Sequence, residues 1–322
     1  MPNQNYNDIF TSTIESRTRK LADNVTKHNA LLDRMNKKGK IRTVDGGSKI
    51  LEELEYGQGD KVWYSGYDTI TDSHPQLFTA AEFNLKLLAV PVSISGEDQL
   101  KNSGKEQMMN LFQKRIENAE KTMANALAAG LFADGTGNSG KEIGGLQLLV
   151  ADAPSSGTVG NINRATTGNE FWRNQAKTSS AALTSDTIRK EFDDMYIKCQ
   201  RNSDAPDLIV CDATRYGLFL QSLTPLQRFS NPDLANAGFR TVQYQGADVI
   251  FDANCPDKHI YFLNTDYIYL RPHKNRNMKV IGGDRVAINQ DALYNIIGWA
   301  GNMTMSNAKL QGVLIDKVAY LA

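Results

Sequence analysis

The longest regular pattern of apolar and polar positions runs from Glu97 to Asp134 and predicts one long amphipathic helix. Its apolar residues recur every three or four positions, which places them on one face of a helix with about 3.6 residues per turn. They are Met108, Phe112, Ile116, Ala119, Met123, Leu127 and Leu131. On the polar face Glu117 precedes Lys121 in the favourable i,i+4 order. About thirty residues predict a rod on the order of 45 Å, which is long for a compact enzyme domain.

The region before this helix predicts an arm and a long β excursion. From Asp8 to about Asn36 a sparse apolar stripe among charges predicts a helical arm that lies on a partner subunit or on its own. Lys49–Tyr56 predicts a short strand or helical turn, and Lys61–Asp68 and Phe83–Val90 predict two strands. Because a two-stranded hairpin is marginally stable in water, this one needs a neighbour to lie on. The alternative is a hairpin inside an ordinary sheet.

The region after the helix changes from loop to α/β and then to β. Leu146–Val150 predicts a short strand, and residues 154–186, rich in small polar residues, predict a connector. An amphipathic helix from Ser185 leads into the buried strand Pro206–Asp212 and a following helix. Further short strands come next, and extended runs return up to Ala292–Met305 and beyond. Because 322 residues exceed the ~250–300 that one core usually holds, the chain predicts two subdomains.

Charge alters this picture only near the N-terminus. The 36 basic and 36 acidic residues cancel, so no overall field attracts nucleic acid or a membrane surface. Residues 1–42 hold nine basic and four acidic residues, which gives this segment a charge of +5 and the remainder −5. The segment lacks interleaved aromatic residues, so base stacking is not indicated. Weak, salt-sensitive contact with a phosphate backbone is compatible with it.

No motif predicts catalysis, a cofactor or a metal ion. Asp134–Gly140 contains G-x-G-x-x-G, but it follows a helix, the reverse of the order in dinucleotide-binding sites, and predicts a helix stop. The four histidines lack metal-ligand spacing. The adjacent carboxylates Glu52–Glu53 and Asp193–Asp194 point apart, so we expect them on solvated faces. The sequence therefore predicts a protein that is not an enzyme and has no cofactor.

The cysteines and the hydropathy pattern bear on the compartment. Cys199, Cys211 and Cys255 lie far apart with no secretory signal before them, so we expect reduced thiols. No apolar run approaches the ~20 residues of a membrane span. These observations predict a soluble protein inside the cell that makes it, with no membrane partner.

The order of the elements resembles that of the major capsid proteins of tailed double-stranded DNA phages. Those proteins have the Hong Kong 97-type fold, which encapsulin shells also use. Local likenesses are weak singly, and their order along the chain carries the resemblance. They are Ala89–Gly96 before the long helix, Ile143–Leu146 after it, Val159–Arg164 with Trp172–Asn174, and Pro206–Val210.

The resemblance implies an α+β capsid fold with four parts. An N-terminal arm would cover residues 1–45, and an extended β-hairpin loop would cover residues 46–92. A peripheral domain with the long spine helix would comprise residues 93–164 and 276–307. An axial α/β domain would comprise residues 165–275 and 308–322.

The resemblance also implies a function. The chain would be a major capsid protein, assembled in the host cytoplasm as hexamers and pentamers of an icosahedral shell around a phage double-stranded DNA genome. The expected partners are copies of itself, a portal, a decoration protein and a separate scaffold protein, since the arm starts within ten residues of Met1. Weak contacts to packaged DNA or to an acidic scaffold are expected from Arg17, Arg19, Lys20, Lys37, Lys38 and Lys40.

Two alternatives stay open. One is an encapsulin-type nanocompartment shell, which the basic arm disfavours, and the other is an α/β enzyme of unknown type. Some capsid proteins of this fold are cross-linked between lysine and asparagine. Lys61 and Lys86 lie in the predicted loop and Asn302 and Asn307 near the C-terminus, but the sequence does not show that they meet.

Overall fold

The computed structural model describes residues 30–70, 76–97, 105–223, 242–281, 285–286 and 292–317. The predicted contact residues Arg17, Arg19 and Lys20, and the arm before residue 30, lie outside these ranges. The architecture is α+β. The main α-helices in the described ranges are α1 (Ala30–Lys37), α2 (Lys105–Gly130), α3 (Leu146–Leu149), α4 (Ile188–Cys199) and α5 (Ala213–Ser222). None of them combines the length and apolar character needed to cross a bilayer.

A hairpin of two strands precedes the long helix. β1 (Lys49–Glu55) pairs antiparallel with β2 (Phe78–Asn84). Side chains alternate along β1, with Ile50, Glu52 and Leu54 buried and their neighbours exposed. One face of the hairpin therefore packs on the body of the protein.

The predicted strand Lys61–Asp68 is wrong. Residues 57–70 are not in a strand. Although the residues are β-prone, a strand needs a partner, and none of the described strands pairs with this stretch. The predicted run Phe83–Val90 is two strands, because the chain leaves β1 at Leu85 and pairs next with a different sheet.

One long strand organises the five-stranded sheet. β14 (Ala292–Met305) pairs along one edge with β3 (Lys86–Ser95) over the full length of β3. The other edge of β14 pairs in turn with three shorter strands, all antiparallel to it. They are β11 (Ile268–Pro272), β12 (Lys279–Val280) and β13 (Arg285–Val286).

Helix α2 packs against β3 and presents the predicted apolar stripe to the core. Ile116, Ala119, Met123 and Leu127 are buried, as the periodicity predicts, while Met108 and Phe112 fall outside the side chains that are described. The helix ends at Gly130 and not at Asp134.

The backbone beyond α2 bonds to a later turn and does not continue the helix. Leu131 O accepts from Leu146 N at 2.7 Å, and Ala133 O accepts from Gly145 N at 2.9 Å. A Cβ on Gly145 would lie 2.4 Å from Leu131 O, so only glycine fits at this close approach. The predicted strand Leu146–Val150 is wrong, since these residues form α3 and the residue that ends it.

The six-stranded sheet follows. From one edge to the other its strands are β6 (Gln175–Thr178), β15 (Gly312–Ile315), β10 (His259–Leu263), β7 (Leu208–Cys211), β9 (Ala247–Phe251) and β8 (Val242–Tyr244). Neighbours β6–β15 and β7–β9 are parallel, and the other pairs are antiparallel. The connector predicted for residues 154–186 therefore misses β6. It also misses the small hairpin of β4 (Thr158–Val159) and β5 (Ile162–Asn163).

Both faces of the six-stranded sheet are buried. Ile209, Val249 and Phe262 face α4 and α5, where Phe192 stacks on Phe219 with ring centroids 5.0 Å apart. Their neighbours along the strands, such as Val210 and Ile250, join the main core shared with the five-stranded sheet. Burial on both faces explains why these strands read as continuous apolar runs.

The described part of the arm lies on its own subunit. Leu31, Leu32 and Met35 of α1 are buried in the main core. Residues 40–44 then run parallel to β11, where Arg42 N donates to Leu270 O at 3.0 Å and Val44 N donates to Pro272 O at 2.9 Å. Of the two positions that the sequence allows for the arm, residues 30–44 take the one on their own body.

Candidate assembly surfaces

The exposed loop, residues 57–70, carries unburied aromatic side chains. Trp63 and Tyr67 have relative accessibilities of 100% and 106%, so neither is shielded by its own chain. Val62, Tyr64 and Ile70 are also exposed. The hydrogen bonds described for the loop are local, such as Ser65 N to Asp68 Oδ2 at 2.8 Å. Several exposed large apolar side chains on one loop indicate a site of protein association.

The hairpin that carries this loop is fixed to the five-stranded sheet by a buried ion pair. Glu52 of β1 accepts from Arg271 of β11 through two nitrogens, at 2.7 and 2.8 Å. The Thr304 hydroxyl on β14 donates to the same carboxylate at 2.7 Å. The expectation of a solvated Glu52 is therefore wrong. A bidentate, buried pair sets the angle of the hairpin more firmly than an exposed pair does.

The second adjacent pair of carboxylates is also engaged. Asp193 accepts from the Tyr244 hydroxyl and from Gln245 Nε2, both at 2.6 Å. Asp194 pairs with Lys177 at 2.6 Å. These carboxylates tie α4 to the six-stranded sheet and do not bracket a substrate.

The segments Val159–Arg164 and Trp172–Asn174, which carry part of the resemblance in the sequence, meet in one buried cluster around Arg164. Its guanidinium donates to Trp172 O at 2.9 Å, Leu149 O at 2.7 Å and Asn174 Oδ1 at 3.3 Å. The Trp172 indole in turn donates to Val159 O at 2.9 Å. Burial lowers the pKa of Arg164 to about 10, and carbonyl oxygens take the place of a counter-ion. These hydrogen bonds hold the connector, from Val159 to Asn174, against the end of α3.

A second buried arginine joins α5 to the last strand. Arg215 Nη2 lies 2.9 Å from Asp316 Oδ2, and Nη1 lies 2.9 Å from Asp212 and 2.7 Å from Asp257. Asp316 also accepts from Leu183 N at 3.1 Å. The guanidinium thus joins its own segment to two that are distant in sequence, at Asp257 and Asp316, and Leu183 is joined to them through Asp316.

The described lysines of the predicted nucleic-acid or scaffold contact are occupied by the acids of their own subunit. Lys37 pairs with Asp33 at 3.0 Å, Lys38 with Asp207 at 2.8 Å, and Lys40 with Asp266 at 3.5 Å. Contact of these lysines with DNA or a scaffold stays a prediction.

Asp207 is the centre of this network. Arg34 of α1 reaches both Asp207, at 3.3 Å, and Asp248, at 3.1 Å. Burial alone would raise the pKa of Asp207, but the Lys38 ammonium and the N–H and hydroxyl of Thr265 outweigh it and hold the pKa below its ordinary value. Asp207 therefore stays ionised and clamps α1 to the six-stranded sheet.

His259, at the start of β10, bridges to the segment after α3. Its Nε2 lies 3.0 Å from Asp152 Oδ2, and its Nδ1 lies 2.7 Å from Asp257 O. Burial lowers the pKa of His259, but these two hydrogen bonds and the carboxylates of Asp152 and Asp212 outweigh it, so the pKa is raised. The imidazolium form donates to both acceptors.

We expect this bridge to make stability pH-dependent. A raised folded-state pKa stabilises the fold fully below the unfolded value of about 6.5, and this contribution is lost as pH rises through the folded pKa. His259→Gln should therefore lower the free energy of unfolding by about 0.5–1 kcal/mol at pH 6, since Asp152 is half exposed. Urea unfolding from pH 6 to pH 9 measures this. The difference from wild type should shrink as pH rises, and a difference that grows would contradict the assignment. Asp152→Asn is the matched variant and should behave alike.

The cysteines are buried, and two of the candidate cross-link residues, Asn302 and Lys86, bond to the backbone of their own subunit. Cys199, Cys211 and Cys255 are buried and free, and burial raises the pKa of Cys199 to about 12. Asn302 is buried, and its amide bonds to the backbone of Gly144, Met303 and Asn84. Lys86 donates to Gly140 O. Lys61 is exposed in the loop. In the described ranges, no group of three or more metal-ligating side chains is placed to hold an ion.

Sequence reasoning missed the buried charges because they have no local signature. Glu52, Arg164, Arg215 and Asp316 are ordinary charged residues until the fold brings their partners from more distant parts of the chain. The aromatic loop did have a signal, the run from Val62 to Tyr67, which was interpreted as a strand.

Comparison with known proteins identifies the fold. No protein-family model matches the sequence, and no curated protein matches it. The capsid of cyanophage A-1(L) covers 87% of this chain and 92% of its own, with a TM-score of 0.59 and 15% identity. The capsid of a native GTA particle covers 87% and 89%, with a TM-score of 0.60 and 13% identity. The SrpI encapsulin of Synechococcus elongatus covers 87% and 86%, with a TM-score of 0.52 and 11% identity.

The chain therefore has the shell-forming fold that the order of its elements implied, the Hong Kong 97-type fold. The likeness covers 87% of the chain in each of these three comparisons. At these identities it defines the architecture and leaves the role of the chain to be argued from its surfaces.

Proposed function

We propose that this chain is a major capsid protein, which assembles with copies of itself into the icosahedral shell of a phage-type particle. The observation that carries the proposal is the exposed aromatic loop, held out from the body on a hairpin that a buried ion pair fixes in place. Apolar side chains that their own chain leaves exposed are buried only when a second molecule covers them. In a chain with this fold, that molecule is another copy.

We also propose that the subunit has four parts. They are an arm (1–45), an extended loop (46–92), a peripheral domain (93–164 and 276–307) and an axial domain (165–275 and 308–322). The role is structural and not catalytic. Hexamers and pentamers would repeat the loop contact around each ring, so that many modest interfaces together stabilise the shell. Permanent interfaces exceed about 2,000 Å², which a body with a long projection can supply.

The proposal extends to the partners of the shell. We infer that it encloses double-stranded DNA in a virion assembled in the host cytoplasm, with a separate scaffold protein, a portal and a decoration protein. The basic arm supports contact with DNA or with an acidic scaffold, because its charge of +5 is concentrated in 42 residues. A shell without DNA, loaded with a protein cargo, would correspond to the encapsulin alternative.

Electron microscopy of the purified protein at rising concentration tests the proposal. We expect closed particles of uniform size, and particles recovered from producing cells should contain DNA that resists nuclease. A monomer that never assembles in the ultracentrifuge, even when a scaffold is co-expressed, would overturn it. Closed particles that hold protein in place of protected DNA would favour the nanocompartment.

A further inference from the structure

Three cations lie around one aromatic ring where residues 40–44 of the arm run beside β11. The ring centroid of Tyr269 lies 5.4 Å from Lys40 Nζ, 5.1 Å from Arg42 Cζ and 5.0 Å from Arg271 Cζ. Backbone pairing between residues 40–44 and β11 fixes this arrangement. A ring can attract a cation, but it does not neutralise charge.

The three cations differ in how they are compensated. Arg271 is neutralised by buried Glu52, and Lys40 pairs with Asp266. Arg42 is exposed, and the described part of the chain gives it no ion pair. The positive charge of its guanidinium is therefore accessible to solvent and to a ligand.

The next turn along the same ribbon adds two more exposed cations. Lys274 N donates to Val44 O at 3.0 Å, so the turn Lys274–Arg276, which follows β11, lies beside the end of the arm segment that carries Arg42. The side chains of Lys274 and its partner Asp45 are 64% and 75% exposed, and such a pair is strongly screened by water. Arg276 is exposed, with no ion pair among the residues described. At about 3.3 Å per residue, Arg42 and Lys274 lie on the order of 10 Å apart along the ribbon.

We propose that Arg42, whose guanidinium lies over Tyr269, forms with Lys274 and Arg276 a basic strip that binds the phosphate backbone of nucleic acid. The proposal rests on the proposed function of a DNA-filled shell and relocates the expected DNA contact from Lys37 and Lys38 to Arg42 and the turn after β11. Lys37 and Lys38 are already paired with Asp33 and Asp207, so binding DNA there would first break those pairs. Arg42 and Arg276 require no such step.

The strip suits a nucleic-acid backbone because the phosphates of DNA repeat as negative charges at short, regular intervals. Two of the three cations are arginines, and a guanidinium makes two-point contacts with phosphate oxygens as it does with carboxylates, so competition with an acidic polypeptide decides between the two ligands. The strip is a ribbon edge with one half-buried aromatic ring. It offers charge at intervals, and contacts with phosphate oxygens carry no sequence information directly, so the contact is independent of sequence.

Binding of a fluorescent DNA duplex to the full, unassembled chain at several salt concentrations tests the strip. The double variant Arg42→Gln, Arg276→Gln should lower affinity about tenfold at low salt. It should also reduce the slope of log K against log [salt] by about two, since each phosphate contact contributes about 0.9. The matched control is Lys121→Gln, Lys141→Gln, which removes two exposed cations elsewhere and should change affinity less than about twofold. Arg42→Lys, Arg276→Lys keeps the charge and should restore the slope.

The outcomes separate this inference from the proposed function. If the glutamine variant binds DNA with the wild-type slope of log K against log [salt], Arg42 and Arg276 do not contact phosphates. The proposed strip is then wrong, whether or not shells form. If polyglutamate displaces the duplex as well as an unlabelled duplex of equal charge does, the strip recognises acidic protein and the phosphate assignment fails. Shell assembly of the same variants, followed by electron microscopy, tests the proposed function independently. Thermal unfolding should be unchanged, because both arginine side chains are exposed.

Discussion

The double substitution Trp63→Ser, Tyr67→Ser is expected to abolish shell assembly and to leave the subunit folded. Both rings are fully exposed in the single chain, so removing them costs the isolated fold no buried contacts. An aromatic side chain buries about 150–250 Å² in an interface, which at ~25 cal/mol/Å² corresponds to about 4–6 kcal/mol as an upper limit. Losing even half of this at both positions should raise the critical concentration for assembly by at least ~100-fold. Light scattering against protein concentration, with electron microscopy of the end point, measures it.

The matched control keeps the apolar area and changes the chemistry. Trp63→Phe, Tyr67→Phe should assemble within about tenfold of the wild-type concentration, because most of the buried surface is retained. Urea unfolding of the unassembled serine variant should match wild type, which shows that the subunit is intact. If the serine variant builds shells at the wild-type concentration, the exposed loop does not contact a neighbouring copy, and the central argument for the proposed function fails.

The elements that the sequence predicts well are those whose burial repeats at a local period. The stripe of α2 recurs at helical spacing, and the strands of the six-stranded sheet are continuously apolar because both faces are covered. Their order along the chain was enough to suggest the fold, even though no single motif is specific. The long strand β14 was also visible as an extended run, although its pairing with β3 was not.

The elements that the sequence misses depend on distant partners. Lys61–Asp68 has the composition of a strand, but the described chain offers it no paired strand, so it remains a loop. β6 is a polar edge strand that exists because β15, near the C-terminus, runs beside it. Glu52 is buried only because Arg271, far along the chain, reaches it. Local propensity does not contain this information.

The same dependence limited the prediction of the candidate sites. The basic residues of the arm were recognisable from composition, but which of them are neutralised depends on acids such as Asp207 and Asp266, supplied by the six-stranded sheet and the turn that follows it. The sequence therefore predicts that a basic surface exists more reliably than it predicts which cations remain available.

Arg215→Met is expected to have the largest effect on subunit stability, a loss of about 3–5 kcal/mol in the free energy of unfolding. Arg215 and Asp316 are both almost completely buried, so removing the guanidinium leaves a carboxylate in the interior without its counter-ion. It also frees β15 from α5, since Asp316 follows the last residue of that strand. Urea unfolding, read as a shift of the midpoint at constant slope, measures the loss.

Two further variants decide whether the loss comes from a stranded charge. In Arg215→Met, Asp316→Leu the two most deeply buried charges of the cluster are replaced by apolar groups, so part of the lost stability should return. The recovery should be incomplete, because Asp212 also loses its pair with Arg215. Arg173→Met removes one member of a partly exposed pair with Glu170 and should cost less than about 1 kcal/mol. If Arg215→Met costs no more than Arg173→Met, the buried pair does not hold the last strand, and packing alone keeps β15 in the sheet. If the double variant is as unstable as the single one, the loss arises from the missing packing of the arginine stem and not from the charge of Asp316.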